Sequence, residues 1–358
     1  MLNSKRKKII ALSALSVGLF TVFSSLPAEA VKPETAVQKT FKDAGREVDS
    51  YYYTANEGGS VSKIDAQTNK VVRTFMVDGT AHNVQISPDG KILGVTVAAA
   101  MEKTSEDDMS MNMNGYAWFY DTETDELISK VMVGEHPAHI VFTPNGKYAV
   151  VTNNKDNNLS IIDMNTYKVI KQVSTGNGPH GFRISKDGKY AYVANIGEDS
   201  VSVIDLVIYT EIKKIKVGKT PVTTAITSNG KTLVSTANAE KLLAIVDIAS
   251  GNISKVSVGI GPAQVYISPD DRYAFVANQG TEESPSNTVS KVDLSTKKVV
   301  ATIKVGNGAH GVVTSSDNKY VYITNMYENT VSVIENASNK VIATVPVGKE
   351  PNGITYKK

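Results

Sequence analysis

The stretch GPHGFRISKDGKYAYVANIGEDSVSVIDL, from Gly178 to Leu206, decides the fold of this 358-residue chain because its pattern recurs along the sequence. It contains a glycine-rich segment, a short strand, a turn of the Ser-Pro-Asp-Gly type, and two further strands, YVAN and VSVID. Seven stretches repeat this order, usually about 40 to 42 residues apart, the length of one four-stranded propeller blade. Two copies carry insertions, at Met101–Asn114 and Thr281–Ser286, and inserted residues in a repeat belong in loops.

Each copy contains local strand and turn signals. Tyr190–Val193 and Val201–Ile204 are rich in β-branched and aromatic residues, which favour strands. In the turn Ser87–Gly90, proline fixes φ at the second position and glycine closes the turn. No segment shows sustained helical periodicity, so the pattern predicts an all-β protein.

The two ends of the repeat region complement each other. The first copy, Tyr51–Val77, lacks a first strand, and the final stretch, Pro351–Tyr356, is a first strand without its blade. Pairing the two would remove the open sheet edge. We therefore predict a seven-bladed β-propeller over residues 50–358, closed by pairing of the C-terminal strand with the N-terminal blade.

Three second-strand motifs, Tyr192–Asn195, Phe275–Asn278 and Tyr322–Asn325, resemble the cores of the YVTN-repeat, YncE-like family, as do the turns and VSVID strands. The resemblance covers nearly all of residues 50–358. It implies a bacterial or archaeal seven-bladed propeller that is exported or associated with a surface layer. The family has no shared catalytic set to carry over to this chain.

The N-terminus predicts export. Basic residues at positions 5–8 precede the apolar run Ile9–Phe23, and Ala28 and Ala30 fit a signal-peptidase site. We expect residues 1–30 to be a signal peptide and residues 31–49 a flexible leader. The alternative, an uncleaved anchor, is disfavoured because the apolar run is short for a membrane span. The expected location is secreted or extracytoplasmic, at the cell surface or in the periplasm, with no membrane span after cleavage.

Composition excludes several classes of function. The chain has no cysteine, which excludes disulfides, thiolate chemistry and a lipid-attachment cysteine. Signal cleavage would remove four basic residues and one glutamate, so the formal net charge would fall from +2 to about −1. This charge gives no reason to expect binding to nucleic acid. We expect a monomer.

Histidines recur at one position of the repeat. Four of the five histidines introduce innermost strands: His82, His139, His180 and His310. Other copies place Gln264 and Asn352 there. These six residues should ring one mouth of the central channel and form a ligand-binding site, and converging imidazoles are suitable metal ligands. The alternative is that each ring merely hydrogen-bonds to a neighbouring blade or to channel water.

Four methionines lie within the longer insertion: Met101, Met109, Met111 and Met113. This insertion joins the second and third strands of its blade, so it should open on the histidine-bearing face. Thioether sulfur suits Cu(I), and imidazole suits Cu(II) and Zn(II), which makes copper the candidate metal for the histidines and methionines together. Exposed methionines could instead form an adaptable protein-binding surface or be sites of oxidation.

Two other patterns carry little functional weight. Gly176–Gly181 and Gly306–Gly311 fit G-x-G-x-x-G, but a strand follows each one where a dinucleotide site needs a helix. Asparagines end most second strands, and we expect them to cap turns through hydrogen bonds to the backbone.

These observations favour an exported, non-enzymatic propeller that binds a protein partner or small ligand, with copper as the candidate, on its His/Met face. One alternative is a hydrolase, lactonase or lyase at the channel mouth, in which His180 or His310 is the general base. The sequence shows no acidic residue that would orient either imidazole. A third hypothesis is a structural cell-envelope protein without a small-molecule site.

Overall fold

The computed structural model describes residues 50–99 and 114–358. The signal peptide and leader predicted for residues 1–49, and the four methionines of the insertion, lie outside the described residues. Within the described ranges, regular structure is β-strand apart from the three-residue 3₁₀ helix Asn238–Glu240. No helix in these ranges has the length and apolarity needed to cross a bilayer.

The strands of the described ranges form seven four-stranded antiparallel sheets, the blades. Blade 1 contains β1 (Tyr51–Asn56), β2 (Ser60–Asp65) and β3 (Lys70–Met76), and is completed by the C-terminal strand β28 (Pro351–Lys357). Blade 2 contains β4 (Thr80–Ile86), β5 (Ile92–Ala98), β6 (Asn114–Asp121) and β7 (Leu127–Glu135); blade 3, β8 (Pro137–Phe142), β9 (Tyr148–Asn153), β10 (Asn158–Asp163) and β11 (Lys168–Ser174); and blade 4, β12 (Pro179–Ile184), β13 (Tyr190–Asn195), β14 (Ser200–Asp205) and β15 (Thr210–Lys216). Blade 5 contains β16 (Pro221–Ile226), β17 (Thr232–Ala237), β18 (Leu242–Asp247) and β19 (Ile253–Ser257); blade 6, β20 (Pro262–Ile267), β21 (Tyr273–Gly280), β22 (Pro285–Asp293) and β23 (Lys298–Lys304); and blade 7, β24 (Ala309–Thr314), β25 (Tyr320–Asn325), β26 (Thr330–Glu335) and β27 (Lys340–Pro346).

The C-terminal strand closes the ring as predicted. Strand β28 pairs antiparallel with β1, and Tyr52 lies opposite Tyr356. The junction with blade 7 is filled by aromatic rings, since the centroid of Tyr322 lies 4.4 Å from that of Tyr52 and 5.8 Å from that of Tyr356. Both edges of the repeat array are therefore covered, and the prediction of a closed seven-bladed propeller is confirmed.

The apolar core lies between neighbouring blades. Seven clusters of buried apolar residues each bridge two adjacent blades. Between blades 2 and 3, for example, Phe119 packs against Phe142 with ring centroids 6.3 Å apart. Truncating such a side chain to alanine typically costs about 3–5 kcal/mol, so these clusters fix the position of each blade relative to the next.

The predicted turns between first and second strands are confirmed, with an additional side-chain contact. The amide N–H of Gly90 donates to the carbonyl of Ser87 at 2.9 Å, and Gly90 has a φ of 75°, which glycine adopts without strain. The hydroxyl of Ser87 donates to Asp89 Oδ1 at 2.6 Å. In blades 2 to 7 the second strand begins directly after a lysine or arginine, at Ile92, Tyr148, Tyr190, Thr232, Tyr273 and Tyr320.

First strands of adjacent blades contact one another around the ring and line its centre. Each runs from the mouth where its blade begins to the turn at the opposite mouth. The histidines stand at the beginning of these strands, and the Ser-Pro-Asp-Gly turns at their end, so the fold separates the two features along the axis of the channel.

Candidate metal centre

A β-bulge displaces the beginning of each histidine-bearing strand from its partner. The pairing register shifts between Ala81 and Asn83 in β4, and similar shifts occur at the start of β8, β12 and β24. A bulge leaves a residue outside the ladder and redirects its side chain. Here it leaves His82, His139, His180 and His310 outside regular pairing at the channel mouth.

Threonine side chains connect the bulged backbone to the next blade. Thr152 Oγ1 accepts a hydrogen bond from the amide N–H of His139 at 2.9 Å and donates to the carbonyl of His180 at 2.8 Å. Thr96 makes the equivalent contacts with Asn83 and Ala138. A single hydroxyl therefore holds two histidine backbones in a fixed relation across a blade boundary.

Three imidazoles converge. One ring nitrogen from each of His82, His139 and His180 lies within 4.8 Å of the others. The Nε2 atoms of His82 and His180 are 3.2 Å apart, and the ring centroids of His139 and His180 are 5.0 Å apart. Within the described ranges this is the one group of three or more histidine and carboxylate side chains with metal-binding spacing.

Hydrogen bonds fix the tautomers of two of these rings. His82 Nδ1 lies 2.9 Å from Glu57 Oε1, and His180 Nδ1 lies 3.1 Å from the carbonyl oxygen of Val222. Both partners can only accept, so the proton of each neutral ring resides on Nδ1. When both rings are neutral, the two Nε2 atoms direct lone pairs at each other, and a cation between them would stabilise that arrangement; a proton on either Nε2 would instead make the contact a hydrogen bond.

The separation of these atoms fits coordination of one ion. Metal–imidazole bonds are about 2.0–2.1 Å long, so two nitrogen atoms at a tetrahedral angle lie about 3.3 Å apart. The observed 3.2 Å between the Nε2 atoms of His82 and His180 matches this value. In metal sites the other nitrogen of a ligating imidazole commonly donates to a carboxylate or a backbone carbonyl, as both Nδ1 atoms do here.

His139 is the third member of the group and has the least solvent access, with 1% of its surface exposed. Neither of its ring nitrogens has a hydrogen-bond partner within the described part of the chain. A buried polar atom without a partner costs about 1–3 kcal/mol, and in native proteins it often marks an ion or water. One ring nitrogen of His139 lies within 4.8 Å of a ring nitrogen of His82 and of His180.

Burial lowers the pKa of His139, His180 and His310, which favours their neutral form. It lowers the pKa of His180 to about 3, with a further contribution from nearby His82 and His310. It lowers the pKa of His310 to about 4 and holds that of His139 well below its ordinary value, again with neighbouring histidines contributing. Because metals bind the neutral ring, a cation entering at pH 7 would not have to displace protons from these groups.

Glu57 supplies a negative charge that the sequence analysis missed. Burial opposes its ionisation, but hydrogen bonds from His82 and from Asn352 outweigh this effect and lower the pKa of Glu57 to about 2. Asn352 Nδ2 donates to Glu57 Oε1 at 2.6 Å. The available signal was its position directly after Asn56, at the end of a second strand, on the face predicted to hold the histidines.

The remaining predicted residues lie beside this group. His310 Nδ1 is 3.4 Å from the carbonyl oxygen of Asn352 and 3.5 Å from Gln264 Nε2, and His310 is not part of the three-imidazole group. The fifth histidine, His136, has its ring centroid 6.4 Å from that of His82. The structure thus brings three of the four predicted imidazoles together and places Gln264 and Asn352 next to the fourth.

The asparagines that end second strands have mainly an internal structural role. Asn153 Nδ2 donates to Asn158 Oδ1 and to Ser160 Oγ, and its Oδ1 accepts from the amide N–H of Gly134 at 3.0 Å. The predicted backbone contact is present at Asn153, whereas Asn195, Asn278 and Asn325 donate to hydroxyls of the adjacent strand, and their Oδ1 atoms have no hydrogen-bond partner in the described part of the chain. Asn238 differs, because it begins the 3₁₀ helix.

Comparison with known proteins agrees with this architecture. A family model described as a YncE-like β-propeller matches residues 103–285 and 281–357. No match is found among curated proteins.

Solved structures show the same fold at low sequence identity. Kuenenia stuttgartiensis hydrazine synthase is 22% identical with a TM-score of 0.67, over 76% of this chain and 88% of that chain. A functionally unknown protein from Desulfotomaculum acetoxidans is 14% identical with a TM-score of 0.70, over 86% and 98%. The dihydro-heme d1 dehydrogenase NirN is 13% identical with a TM-score of 0.61, over 85% and 74%. These similarities establish the fold and carry no activity over to this chain.

Proposed function

Because the chain belongs to the YncE-like β-propeller family, whose fold does not define an activity, we propose a function from the candidate metal centre. The protein binds one transition-metal ion, copper, through the imidazoles of His82, His139 and His180. The observation that carries this proposal is the convergence of their ring nitrogens within 4.8 Å. The tautomers of His82 and His180 and the unpartnered nitrogens of His139 support it.

The donor set determines the class of metal. Magnesium and calcium require oxygen ligands, and no carboxylate belongs to the group. Imidazole suits copper, zinc and nickel, and among divalent first-row ions copper binds most tightly to a given nitrogen site. Three nitrogen ligands leave a coordination position through which a small ligand or the ion itself could exchange.

The methionine segment supports copper over zinc. It connects β5 with β6, and Ala98, at the end of β5, lies opposite Thr80, two residues before His82. Strand β5 therefore ends on the histidine-bearing face. Four thioethers at positions 101, 109, 111 and 113 could deliver Cu(I) to the imidazoles or bind a partner that does so. Together with the predicted signal peptide, these features support a role in holding copper outside the cytoplasm without catalysis.

A metal titration tests this function. Protein beginning at Val31 and freed of metal should bind one equivalent of Cu(I) or Cu(II) in competition with a chromophoric chelator. The double variant His82→Ala/His180→Ala should bind about 100-fold more weakly or not at all. The control His136→Ala alters a neighbouring imidazole outside the group and should remain near wild type. Equal binding by the double variant would refute the proposal, and tighter binding of zinc than of copper would refute the choice of metal.

One contact favours a second candidate function. The 2.9 Å contact between Glu57 and His82 is the carboxylate–imidazole pair that a general base requires. In that case His82 Nε2 would activate water for hydrolysis at the channel mouth. A panel of lactones and esters distinguishes the two functions, because turnover that is abolished in His82→Ala and unaffected by chelators would favour the hydrolase.

A further inference from the structure

The opposite mouth of the channel contains a separate cavity of about 170 Å³. Its walls come from the far ends of the innermost strands and from the turns that follow them. The polar and charged side chains relevant to binding are Gln85, Arg183, Tyr266, Thr314, Thr355 and Lys358. Arg183 and His180 belong to the same strand, β12, three residues apart, which places them roughly 10 Å from each other along the channel.

The guanidinium group of Arg183 has no acidic partner among the described residues. Its one hydrogen bond runs from Nη1 to the carbonyl oxygen of the adjacent Phe182, at 2.9 Å. A guanidinium carries five N–H donors, so most of them are not used by this contact. Within the described ranges, the lining includes two cationic side chains and no aspartate or glutamate side chain. A partly buried positive charge without a counter-charge is unfavourable, and an anion in the cavity would relieve that cost.

A second polar group in the wall also lacks a partner. Thr314 is 3% exposed, and its Oγ1 makes no hydrogen bond within the described part of the chain. Thr355 Oγ1 accepts from the amide N–H of Ile86 at 3.3 Å, which leaves its own hydroxyl proton to donate elsewhere. The cavity thus offers hydroxyl donors in addition to the guanidinium group.

We propose that this mouth of the channel is a binding site for a small carboxylate anion, held by Arg183 and the hydroxyls of Thr314 and Thr355. The planar fork of a guanidinium matches the two oxygens of a carboxylate. The ring of Tyr266, whose centroid lies 5.9 Å from Arg183 Cζ, and the side chains of Val313 and Ile354 provide apolar contact for a short hydrocarbon body. Inorganic phosphate has no hydrocarbon body to contact this apolar part of the wall, so we expect it to bind more weakly than a short-chain carboxylate.

Calorimetric titration with butyrate tests the site. The full chain is first freed of metal with a chelator that is then removed by dialysis, because common chelators are themselves carboxylates, and inorganic phosphate serves as the comparison anion. Wild type should bind butyrate more tightly than phosphate, and Arg183→Gln should weaken butyrate binding at least about tenfold. Thr314→Val, which removes one hydroxyl at nearly constant shape, should weaken it about three- to tenfold.

The control variant Lys186→Gln removes an exposed charge in the turn that follows β12 and should leave butyrate binding unchanged. His82→Ala/His180→Ala should also retain butyrate binding, because this site does not depend on the proposed metal site. Unchanged affinity in Arg183→Gln with an unchanged melting temperature would overturn the proposal. Tighter binding of phosphate than of butyrate would overturn the ligand class.

Discussion

The Nε2 atoms of His82 and His180 lie 3.2 Å apart, although the two residues are 98 positions apart in the sequence and belong to different blades. Each ring is fixed by a hydrogen bond at its other nitrogen, to Glu57 and to the carbonyl of Val222. The propeller brings the two blades together, and these hydrogen bonds set the direction of the lone pairs. The arrangement therefore depends on both the fold and the surrounding polar contacts.

Replacing Glu57 with glutamine should weaken metal binding while leaving the three ligands in place. Glutamine can still accept the hydrogen bond from His82 Nδ1. The substitution removes the negative charge of the carboxylate, however, and that charge makes the imidazole a better metal ligand. Loss of such a partner typically reduces metal affinity about 10- to 100-fold. Chelator competition measures this change, and the exposed Glu126→Gln serves as control. An affinity equal to that of wild type would show that Glu57 does not act on the metal through His82.

Replacing His139 with leucine should abolish metal binding without lowering the stability of the metal-free protein. The substitution removes two buried nitrogens that lack partners and keeps a similar side-chain volume. The free energy of unfolding of the metal-free protein should therefore stay constant or rise, by up to about 1–3 kcal/mol. Metal binding should be lost. Denaturant unfolding with a chelator, combined with a copper titration, measures both effects, and a destabilised variant that still binds copper would contradict this role of His139.

Thr152→Val should disturb the geometry of the candidate metal centre. It removes the hydroxyl that joins the backbones of His139 and His180 and leaves an amide N–H without its partner. The matched control is Thr236→Val, because Thr236 makes the same contacts with Thr223 and Ala263, away from the three imidazoles. Both variants should lose about 1–3 kcal/mol of stability. Only Thr152→Val should also weaken metal binding, and parallel losses of affinity in both variants would argue against a local effect.

The metal-free protein should lose stability as the pH falls below about 6.5. Burial lowers the pKa of His310 to about 4 in the folded state, so between pH 6.5 and 4 the unfolded chain binds a proton that the folded chain does not. The free energy of unfolding therefore has its full value above about pH 6.5, and at pH 5.5 it is about 1.4 kcal/mol lower because of this histidine. His180 acts in the same direction, and Glu57 adds a loss only below about pH 4.5.

The variant His310→Gln isolates that contribution. Denaturant unfolding at pH 7.5 and 5.5, with a chelator present, should show a smaller decrease for the variant, by about 1.4 kcal/mol. The same decrease in both proteins would show that His310 is not held neutral in the folded state.

Much of the fold could be predicted because its determinants are local and repeated. Strand patterns and turns recur in each copy, and the isolated first-strand sequence Pro351–Tyr356 indicated how the ring closes. The position of the histidines on one face of the propeller could also be predicted, because the repeat places equivalent residues at the same height along the channel axis.

The details of the site could not be predicted in the same way. Which three of the four imidazoles meet depends on the bulges and on the angle between blades, and no sequence spacing encodes either. Glu57 and Arg183 were missed because their importance comes from neighbours on other blades. A glutamate after a strand end and an arginine within a strand are ordinary features of a sequence.

Anomalous diffraction from copper-loaded crystals, recorded at the copper absorption edge, would locate the bound ion. One copper peak should lie at the channel mouth, about 2 Å from a ring nitrogen of each of His82, His139 and His180. A peak bound only by residues outside this group, or no peak near these rings in protein shown to contain copper, would contradict this prediction.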